Sequence, residues 1–309
     1  CTTACKSLWT DEPGQEYMWW NNVETKPGPG YPQNWEASGG GWENGRLKAG
    51  QLMSKESHGS ECSVNHREVF FEGSEQRLQR KEKMTVGANW DEDSSSGAYP
   101  NNYHFYLPRL CNHCTKPACL EACPVRAIYK REQDGVVLID QDKCQGMRVC
   151  NTACPYKKIY FNFVARKSQK CVFCFPRLEK GQPPACASQC PGKLRFVGFL
   201  EDEDGPIHKL VYQWKVALPL HPEYGTEPNV FYVPPILPPT YDADGELSDE
   251  PRIPTEYLRS LFGKDVESAL ITLHFEMERR KDGKPSELMD LLIAHDWKSM
   301  FKIPDVRLT

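Results

Sequence analysis

The sequence predicts an α+β chain in which two small cysteine-rich units, one nested inside the other, carry a long irregular insertion and a helical C-terminal tail. Three observations support this prediction. Most of the cysteines fall in short, closely spaced runs, two β-rich segments flank an Asp-Gly pair, and helical hydrophobic periodicity is concentrated in the C-terminal part of the chain.

The composition excludes several classes of function. The formal net charge is −4 and the isoelectric point is about 6.1, so the chain lacks the general basic surface of a nucleic-acid-binding protein. No apolar run approaches the length of a membrane span. No nucleophile–base arrangement and no Gly-rich phosphate loop stands out in the sequence. The tight cysteine spacing favours metal ligands over a disulfide scaffold.

The run that defines the metal chemistry is Cys111-Asn-His-Cys114-Thr-Lys-Pro-Ala-Cys119-Leu-Glu-Ala-Cys123-Pro124. Runs of this form are typical of bacterial ferredoxins, in which three closely spaced thiolates hold one iron–sulfur cluster and the fourth reaches the neighbouring cluster. Structural zinc usually needs two CxxC pairs set well apart. A zinc-stapled interaction protein is therefore the remote alternative, and it would be colourless where an iron–sulfur protein is brown.

Three further runs repeat parts of this pattern. They are Cys144-Gln-Gly-Met147-Arg-Val-Cys150-Asn-Thr-Ala-Cys154-Pro155, then Cys171-Val-Phe-Cys174 with Cys186-Ala-Ser-Gln-Cys190-Pro191, and, at the start of the chain, Cys1-Thr-Thr-Ala-Cys5. The last of these reads as the second half of a run. We therefore expect its CxxC half upstream of the first residue given.

The cysteine count is compatible with four clusters. Of the 14 cysteines, Cys62 stands alone and is interpreted as a spare thiol. The others, with the two expected upstream, would supply three clusters of four cysteines and one of three. The three-cysteine site follows from Met147, because an uncharged thioether is a weak ligand and favours a [3Fe–4S] cluster. The alternative is a [4Fe–4S] cube completed by another residue or by water.

The segments between the runs complete the predicted architecture. Residues 1–20 together with 166–205 would form the first ferredoxin-like unit, truncated in its N-terminal half. Residues 101–165 would form the second unit, enclosed by the first. Residues 21–100, with many aromatic, Gly and Pro residues near their start, are interpreted as an irregular insertion. Residues 206–309 would form an extended segment and helices that dock on the core or on a partner.

Local patterns add a hairpin and a basic environment. Residues 127–131 and 136–140 flank Asp134-Gly135, which is typical of a β-hairpin between two cluster-binding runs. Lysines and arginines crowd this region and would offset the negative charge of thiolate-bound clusters. His113 could donate a hydrogen bond to a cluster sulfur, or it could simply be exposed.

The C-terminal part begins extended and ends helical. Residues 215–221 look extended and are expected to lie along the surface. Thr255 is expected to cap a helix whose pattern resumes over residues 264–280, and Ser286 is expected to start another.

With these motifs in place, the chain resembles the iron–sulfur β-subunits of type II molybdenum oxidoreductases of the dimethyl sulfoxide reductase family. This branch includes nitrate reductase, nitrite oxidoreductase, the selenate, chlorate and perchlorate reductases, dimethyl sulfide dehydrogenase and ethylbenzene dehydrogenase. The resemblance covers nearly the whole chain. Beside the cysteine runs, it is carried by Tyr17-Met-Trp-Trp-Asn-Asn-Val-Glu-Thr25, Tyr106-Leu-Pro-Arg-Leu-Cys-Asn-His-Cys114, Val216-Ala-Leu-Pro-Leu220 and Gly225-Thr-Glu-Pro-Asn229.

The resemblance implies four cluster sites, which we number I to IV from the catalytic subunit outward. Their ligands would be Cys1 and Cys190 with the two upstream cysteines (site I), Cys5, Cys171, Cys174 and Cys186 (site II), Cys111, Cys114, Cys119 and Cys154 (site III), and Cys123, Cys144 and Cys150 (site IV). Sites I to III would hold [4Fe–4S] clusters, the first with two of its ligands upstream of the residues given. Site IV would hold the [3Fe–4S] cluster, with Met147 where the nitrate reductase relatives carry tryptophan.

The resemblance also implies a non-catalytic, electron-carrying role. Single electrons would pass between a catalytic α-subunit, with molybdenum on two pyranopterin guanine dinucleotides, and a haem b γ-subunit or cytochrome c. Export with the α-subunit would place the chain in the periplasm or an equivalent compartment, with the cytoplasmic membrane face as the alternative. A polyferredoxin-type carrier and a formate dehydrogenase-like β-subunit are alternatives, but those usually keep all four cysteines in every run.

Overall fold

The computed structural model describes residues 1–27, 40–49, 71–72, 79–80 and 96–293. Within these ranges, short helices alternate with short strands, and the strands form two-stranded antiparallel ribbons. The α+β prediction is therefore confirmed for the described part of the chain. Cys62 and most of the predicted insertion lie outside the described residues.

The helices are named in chain order: α1 (Thr2–Trp9), α2 (Ala118–Glu121), α3 (Val149–Ala153), α4 (Phe175–Leu178), α5 (Ala185–Ser188), α6 (Pro206–His208), α7 (Thr255–Phe262), α8 (Val266–Lys281) and α9 (Glu287–Ile293). The strands are β1 (Asn21–Lys26), β2 (Gly40–Glu43), β3 (Arg46–Ala49), β4 (Phe71–Glu72), β5 (Gln79–Arg80), β6 (Phe105–Leu110), β7 (Ile128–Lys130), β8 (Val137–Ile139), β9 (Ile159–Asn162), β10 (Lys167–Lys170), β11 (Leu218–Pro219) and β12 (Phe231–Tyr232). Each helix that carries or adjoins a cysteine has at most eight residues, so the cysteine loops are anchored by packing and not by long regular elements.

The predicted hairpin is confirmed. Strands β7 and β8 are antiparallel, with Ile128 opposite Ile139. In the turn, the carboxylate of Asp134 accepts a hydrogen bond from the backbone N–H of Val136 at 3.0 Å. Gly135 has φ +67°, a left-handed conformation that glycine adopts without steric cost. Strands β9 and β10 form a second hairpin after the next cysteine run.

The beginning of the predicted irregular insertion is a regular strand. β1 pairs with β6 along its whole length, from Asn21 opposite Leu110 to Lys26 opposite Phe105. The sequence did not reveal this strand because its inward-facing residues include polar ones, and Glu24 is buried. Because β6 ends at Leu110, its pairing with β1 anchors the start of the Cys111 loop.

The C-terminal helices complete the main hydrophobic core, which is built largely from β6, residues 216–220 and helices α7 to α9. The expectation that residues 215–221 lie along the surface is wrong: Val216 is 0% and Leu220 is 1% exposed, because α7 covers them. Thr255 is the first residue of α7 and forms no side-chain cap, so that expectation is also wrong. Ser286 does start α9, since its hydroxyl accepts a hydrogen bond from the N–H of Met289 at 3.1 Å. No helix in the described ranges has the length and apolarity needed to cross a bilayer.

Candidate metal centres

Site III is a cavity lined by all four of its predicted cysteines, which are Cys111, Cys114, Cys119 and Cys154. Cys119 lies on α2 and Cys154 directly follows α3, so two short helices bring one sulfur each to the cavity. Burial raises the pKa of Cys114 and of Cys119, and neighbouring thiolates raise both pKa values further. Four thiolates in one buried space would repel one another, and a shared cationic centre removes that cost.

Site IV is a second cavity, lined by Cys123, Cys144 and Cys150 together with Met147. Burial raises the pKa of Cys150 to about 11, and a hydrogen bond with Ser168 partly opposes this increase. The Ser168 hydroxyl lies 3.4 Å from the Cys150 sulfur. Met147 is 52% exposed, so the thioether stands at the outer edge of a cavity whose three cysteine thiols are more enclosed.

Sites III and IV exchange one cysteine between their runs. Cys154, from the Cys144 run, lines the cavity of the Cys111 run, whereas Cys123, from the Cys111 run, lines the cavity of the Cys144 run. Two-cluster ferredoxins tie their halves together in this way. The structure therefore brings these cysteines together in the grouping that the family resemblance implied.

Site II gathers cysteines from three distant parts of the chain. Its cavity is lined by Cys5 on α1, by Cys171 and Cys174 in the loop before α4, and by Cys186 on α5. Burial raises the pKa of Cys5 to about 12, and the Cys186 and Cys174 thiolates act in the same direction. The N-terminal helix thus contributes to a site whose other cysteines lie more than 160 residues further along.

For site I, the described residues supply Cys1 and Cys190. Cys1 is half-buried and immediately precedes α1, and Cys190 is buried just beyond α5, which packs against α1. The guanidinium of Arg195 donates a hydrogen bond to the Cys1 sulfur at 3.5 Å. A cationic donor at this sulfur is suited to a thiolate ligand.

Two buried lysines give the cavities a positive environment. Lys170 is 2% exposed, donates to the backbone carbonyl of Cys171 at 2.9 Å, and opposes the upward pKa shifts of Cys119 and Cys171. Lys158 is 4% exposed, and burial with the nearby Arg109 lowers its pKa to about 7. Buried ammonium groups next to several thiols match an anionic cluster, which would stabilise their charge.

Several N–H groups donate to cysteine sulfurs. The backbone N–H of Phe173 lies 3.3 Å from the Cys171 sulfur, and that of Ala127 lies 3.3 Å from the Cys123 sulfur. The indole Nε1–H of Trp9 donates to Cys174 at 3.0 Å. Trp9 was not among the site residues predicted from the sequence, although it lies four residues after Cys5 and so faces the same side of α1.

His113 is buried and not exposed: its exposed fraction is 5%. Its ring lines site III, and Nδ1 accepts a hydrogen bond from the backbone N–H of Val137 at 3.0 Å. Burial, followed by the cations Lys170 and Lys130, lowers the pKa of His113 well below its usual range. Because Nδ1 accepts this hydrogen bond, it carries no proton, and the ring is therefore neutral.

The grouping and surroundings of these cysteines fit iron–sulfur clusters. Sites II and III each gather four cysteines around one cavity and site IV gathers three, and backbone N–H groups donate to the sulfurs of Cys123 and Cys171. Cysteine sets of four and three with such donors are typical of iron–sulfur clusters. Across the described part of the chain, no group of three or more His, Cys, Asp or Glu side chains suited to a single metal ion is found.

Fold and cavities together are those of a ferredoxin-like iron–sulfur protein, and a 4Fe-4S dicluster domain matches residues 102–200. The chain is 55% identical over 304 residues to the β-subunit of dimethylsulfide dehydrogenase from Rhodovulum sulfidophilum, covering 98% of this chain and 94% of the relative. It is 55% identical over 307 residues to the β-subunit of selenate reductase from Thauera selenatis, with coverage of 98% and 94%. It is also 56% identical over 301 residues to the β-subunit of respiratory nitrate reductase from Haloferax mediterranei, with coverage of 94% and 86%.

The chain belongs to the iron–sulfur β-subunits of the type II dimethyl sulfoxide reductase family, as its resemblance predicted. It is the electron-transfer subunit of an oxidoreductase complex.

Proposed function

We propose that this chain carries single electrons through sites I to IV, between a molybdenum-containing catalytic α-subunit and a haem b subunit or cytochrome. Sites I to III would hold [4Fe–4S] clusters and site IV a [3Fe–4S] cluster, with the cysteine ligands assigned above. An iron–sulfur cluster supplies a one-electron redox centre whose potential depends on charge, hydrogen bonds and exposure. The protein would hold these centres close together and shield them from solvent.

The observation that carries this proposal is the succession of cavities. Cys111 of site III packs against the buried group of residues that contains Cys171 of site II. The pKa of Cys171 is raised mainly by burial and further by the nearby Cys111 thiolate. On the other side, Cys154 of site III packs against the buried group that contains Cys150 of site IV. Sites II, III and IV are therefore neighbours in that order, which is what stepwise electron transfer requires.

The two ends of the path differ in their surroundings. Site IV opens at the exposed Met147, where a redox partner could approach the cluster closely. Cys1 of site I immediately precedes α1, the helix that carries Cys5 of site II. We propose that site IV faces the haem or cytochrome partner and that site I faces the α-subunit.

The proposed parent enzyme follows from the relatives. Their names associate β-subunits of this kind with dimethylsulfide, selenate, chlorate, perchlorate and nitrate. We propose that the parent complex acts on one of these substrates, on nitrite or on a hydrocarbon, and that its substrate is bound by the α-subunit. We further propose a periplasmic or equivalent location, reached together with that subunit.

Cutting the path at site II tests this function. Cys174→Ser removes a site II ligand and leaves the Cys111 and Cys144 runs untouched. The variant complex should lose turnover with its native haem or cytochrome partner, but should keep activity with a small dye that exchanges electrons directly with the α-subunit. Cys62→Ser, at the cysteine assigned to no cluster, is the matched control and should keep both activities.

A variant complex that assembles, lacks the site II cluster by electron paramagnetic resonance (EPR), and still turns over normally with its native partner would contradict the proposal.

A further inference from the structure

The His113 ring is fixed in one tautomer. The backbone N–H of Val137 donates to Nδ1 at 3.0 Å, so Nδ1 carries no proton. In a neutral imidazole the proton then lies on Nε2, which becomes a hydrogen-bond donor. Val137 belongs to strand β8, so the direction of its backbone N–H is fixed. A backbone N–H can only donate a hydrogen bond, so Nδ1 must be the acceptor.

The Nε2 donor is buried and has no hydrogen-bond partner among the residues that the structure describes. The same is true of the Nδ2 amide nitrogen of Asn112, the preceding residue, which is 3% exposed. Both residues line the site III cavity. Buried donors are almost always satisfied in folded proteins, so two unsatisfied donors at one cavity indicate an acceptor that the protein chain does not supply.

The ring is also held in place from outside the cysteine loop. The side-chain amide of Asn229 donates to the backbone carbonyl of His113 at 2.9 Å, and the Phe173 ring packs edge-on at a centroid distance of 5.3 Å. His113 has φ +42°, an uncommon conformation for a residue other than glycine. The contacts from Asn229 and Phe173, together with the Val137 N–H, hold this side chain at the site III cavity.

We propose that the Nε2–H group of His113 donates a hydrogen bond to a sulfur of the cluster held at site III, and that this bond raises the reduction potential of that cluster. The bond strengthens when the cluster gains an electron, because the sulfur then carries more negative charge. His113 is therefore a tuning residue that sets how easily site III accepts an electron from its neighbours. The inference rests on the proposed function, since it requires a cluster at site III.

The decisive measurement is pulsed EPR on the intact, anaerobically isolated and reduced protein, labelled with ¹⁵N only in histidine. A hydrogen bond to the cluster should give a weak ¹⁵N hyperfine coupling and an exchangeable proton coupling that disappears in D₂O. Both should be lost in His113→Phe, which keeps an aromatic ring but has no donor. His274→Gln, at an exposed histidine on α8, should keep both signals and serves as the matched control.

A redox titration of the same samples gives the functional effect. In His113→Phe, the site III reduction equilibrium should shift at least about tenfold toward the oxidised form, which is about 59 mV for one electron. The potential of site IV should stay unchanged. His113→Gln, whose amide can donate from a similar position, should restore part of the shift.

The outcomes separate this inference from the proposed function. Cluster signals without any histidine ¹⁵N coupling in the wild type would overturn the inference alone. A wild type without a site III cluster would overturn both. Because the wild-type coupling and its loss in D₂O are measured without any substitution, the inference stays decidable even if the His113 variants fail to assemble.

Discussion

Arg109 joins the first strand pair to the cysteine loops, and its replacement by methionine should reveal how those loops are held. Its guanidinium is 2% exposed and donates from Nη1 to both carboxylate oxygens of Glu24 at 3.0 Å. Nη2 donates to the backbone carbonyl of Tyr156 at 2.5 Å, two residues beyond Cys154, which lines site III. Methionine keeps much of the volume but removes every donor.

The expected cost can be worked out from these contacts. Removing one partner of a buried ion pair costs about 3–5 kcal/mol, because the other charge stays buried. Here the ammonium of Lys26 remains 3.3 Å from Glu24 and still offsets its charge, so the cost of breaking the ion pair lies at the lower end of that range. The lost charged hydrogen bond to the Tyr156 carbonyl adds about 1 kcal/mol or more. We therefore expect Arg109→Met to lower the free energy of unfolding by about 4 kcal/mol.

Anaerobic urea unfolding followed by circular dichroism measures this change, and the iron content of the isolated variant reports loosening of Cys154. The control is Arg280→Met, because Arg280 pairs with Asp290 at 2.5 Å on the exposed surface. An exposed pair contributes about 0–1 kcal/mol. Equal unfolding free energies for the two variants would refute the view that the buried pair supports site III.

Three further predictions concern the sites and the buried carboxylate. Met147→Cys should replace the spin-half signal of an oxidised [3Fe–4S] cluster at site IV by that of a lower-potential [4Fe–4S] cluster; EPR of the wild type without a three-iron signal would contradict it. Trp9→Phe removes the 3.0 Å hydrogen bond to Cys174 and should lower the site II potential, by up to about 59 mV, in a redox titration. Burial raises the pKa of Glu24, but the nearby cations, Arg109 foremost, outweigh it and hold that pKa below its usual 4.5. The stability that this shift contributes is complete above pH 4.5 and is lost as the pH falls through the lower folded-state pKa. Glu24→Gln should therefore reduce the decline of the free energy of unfolding at acid pH. An unchanged decline in the variant would show that Glu24 does not titrate in that range.

The local features of this protein could be predicted from its sequence because they depend on neighbouring residues. Cysteine spacing indicates cluster-binding runs, Asp134-Gly135 indicates a tight turn, and the helical repeat indicates the C-terminal helices. The grouping of the cysteines into four sites was implied by the family resemblance. The structure gathers the cysteines of sites II, III and IV around one cavity each. Their binding of iron, and the cluster type at each site, remain predictions.

Only the tertiary structure decided which other groups surround those cavities. Trp9 reaches Cys174 across 165 residues of sequence, and Arg109 reaches Glu24 across 85. No periodicity in the sequence predicts such pairs. Hydrophobic alternation does not predict β1 either, because the buried face of that strand is partly polar. The sequence left His113 open between exposure and tuning. The structure excludes exposure, because the residue is 5% exposed and the N–H that fixes its ring belongs to a strand 24 residues further along the chain.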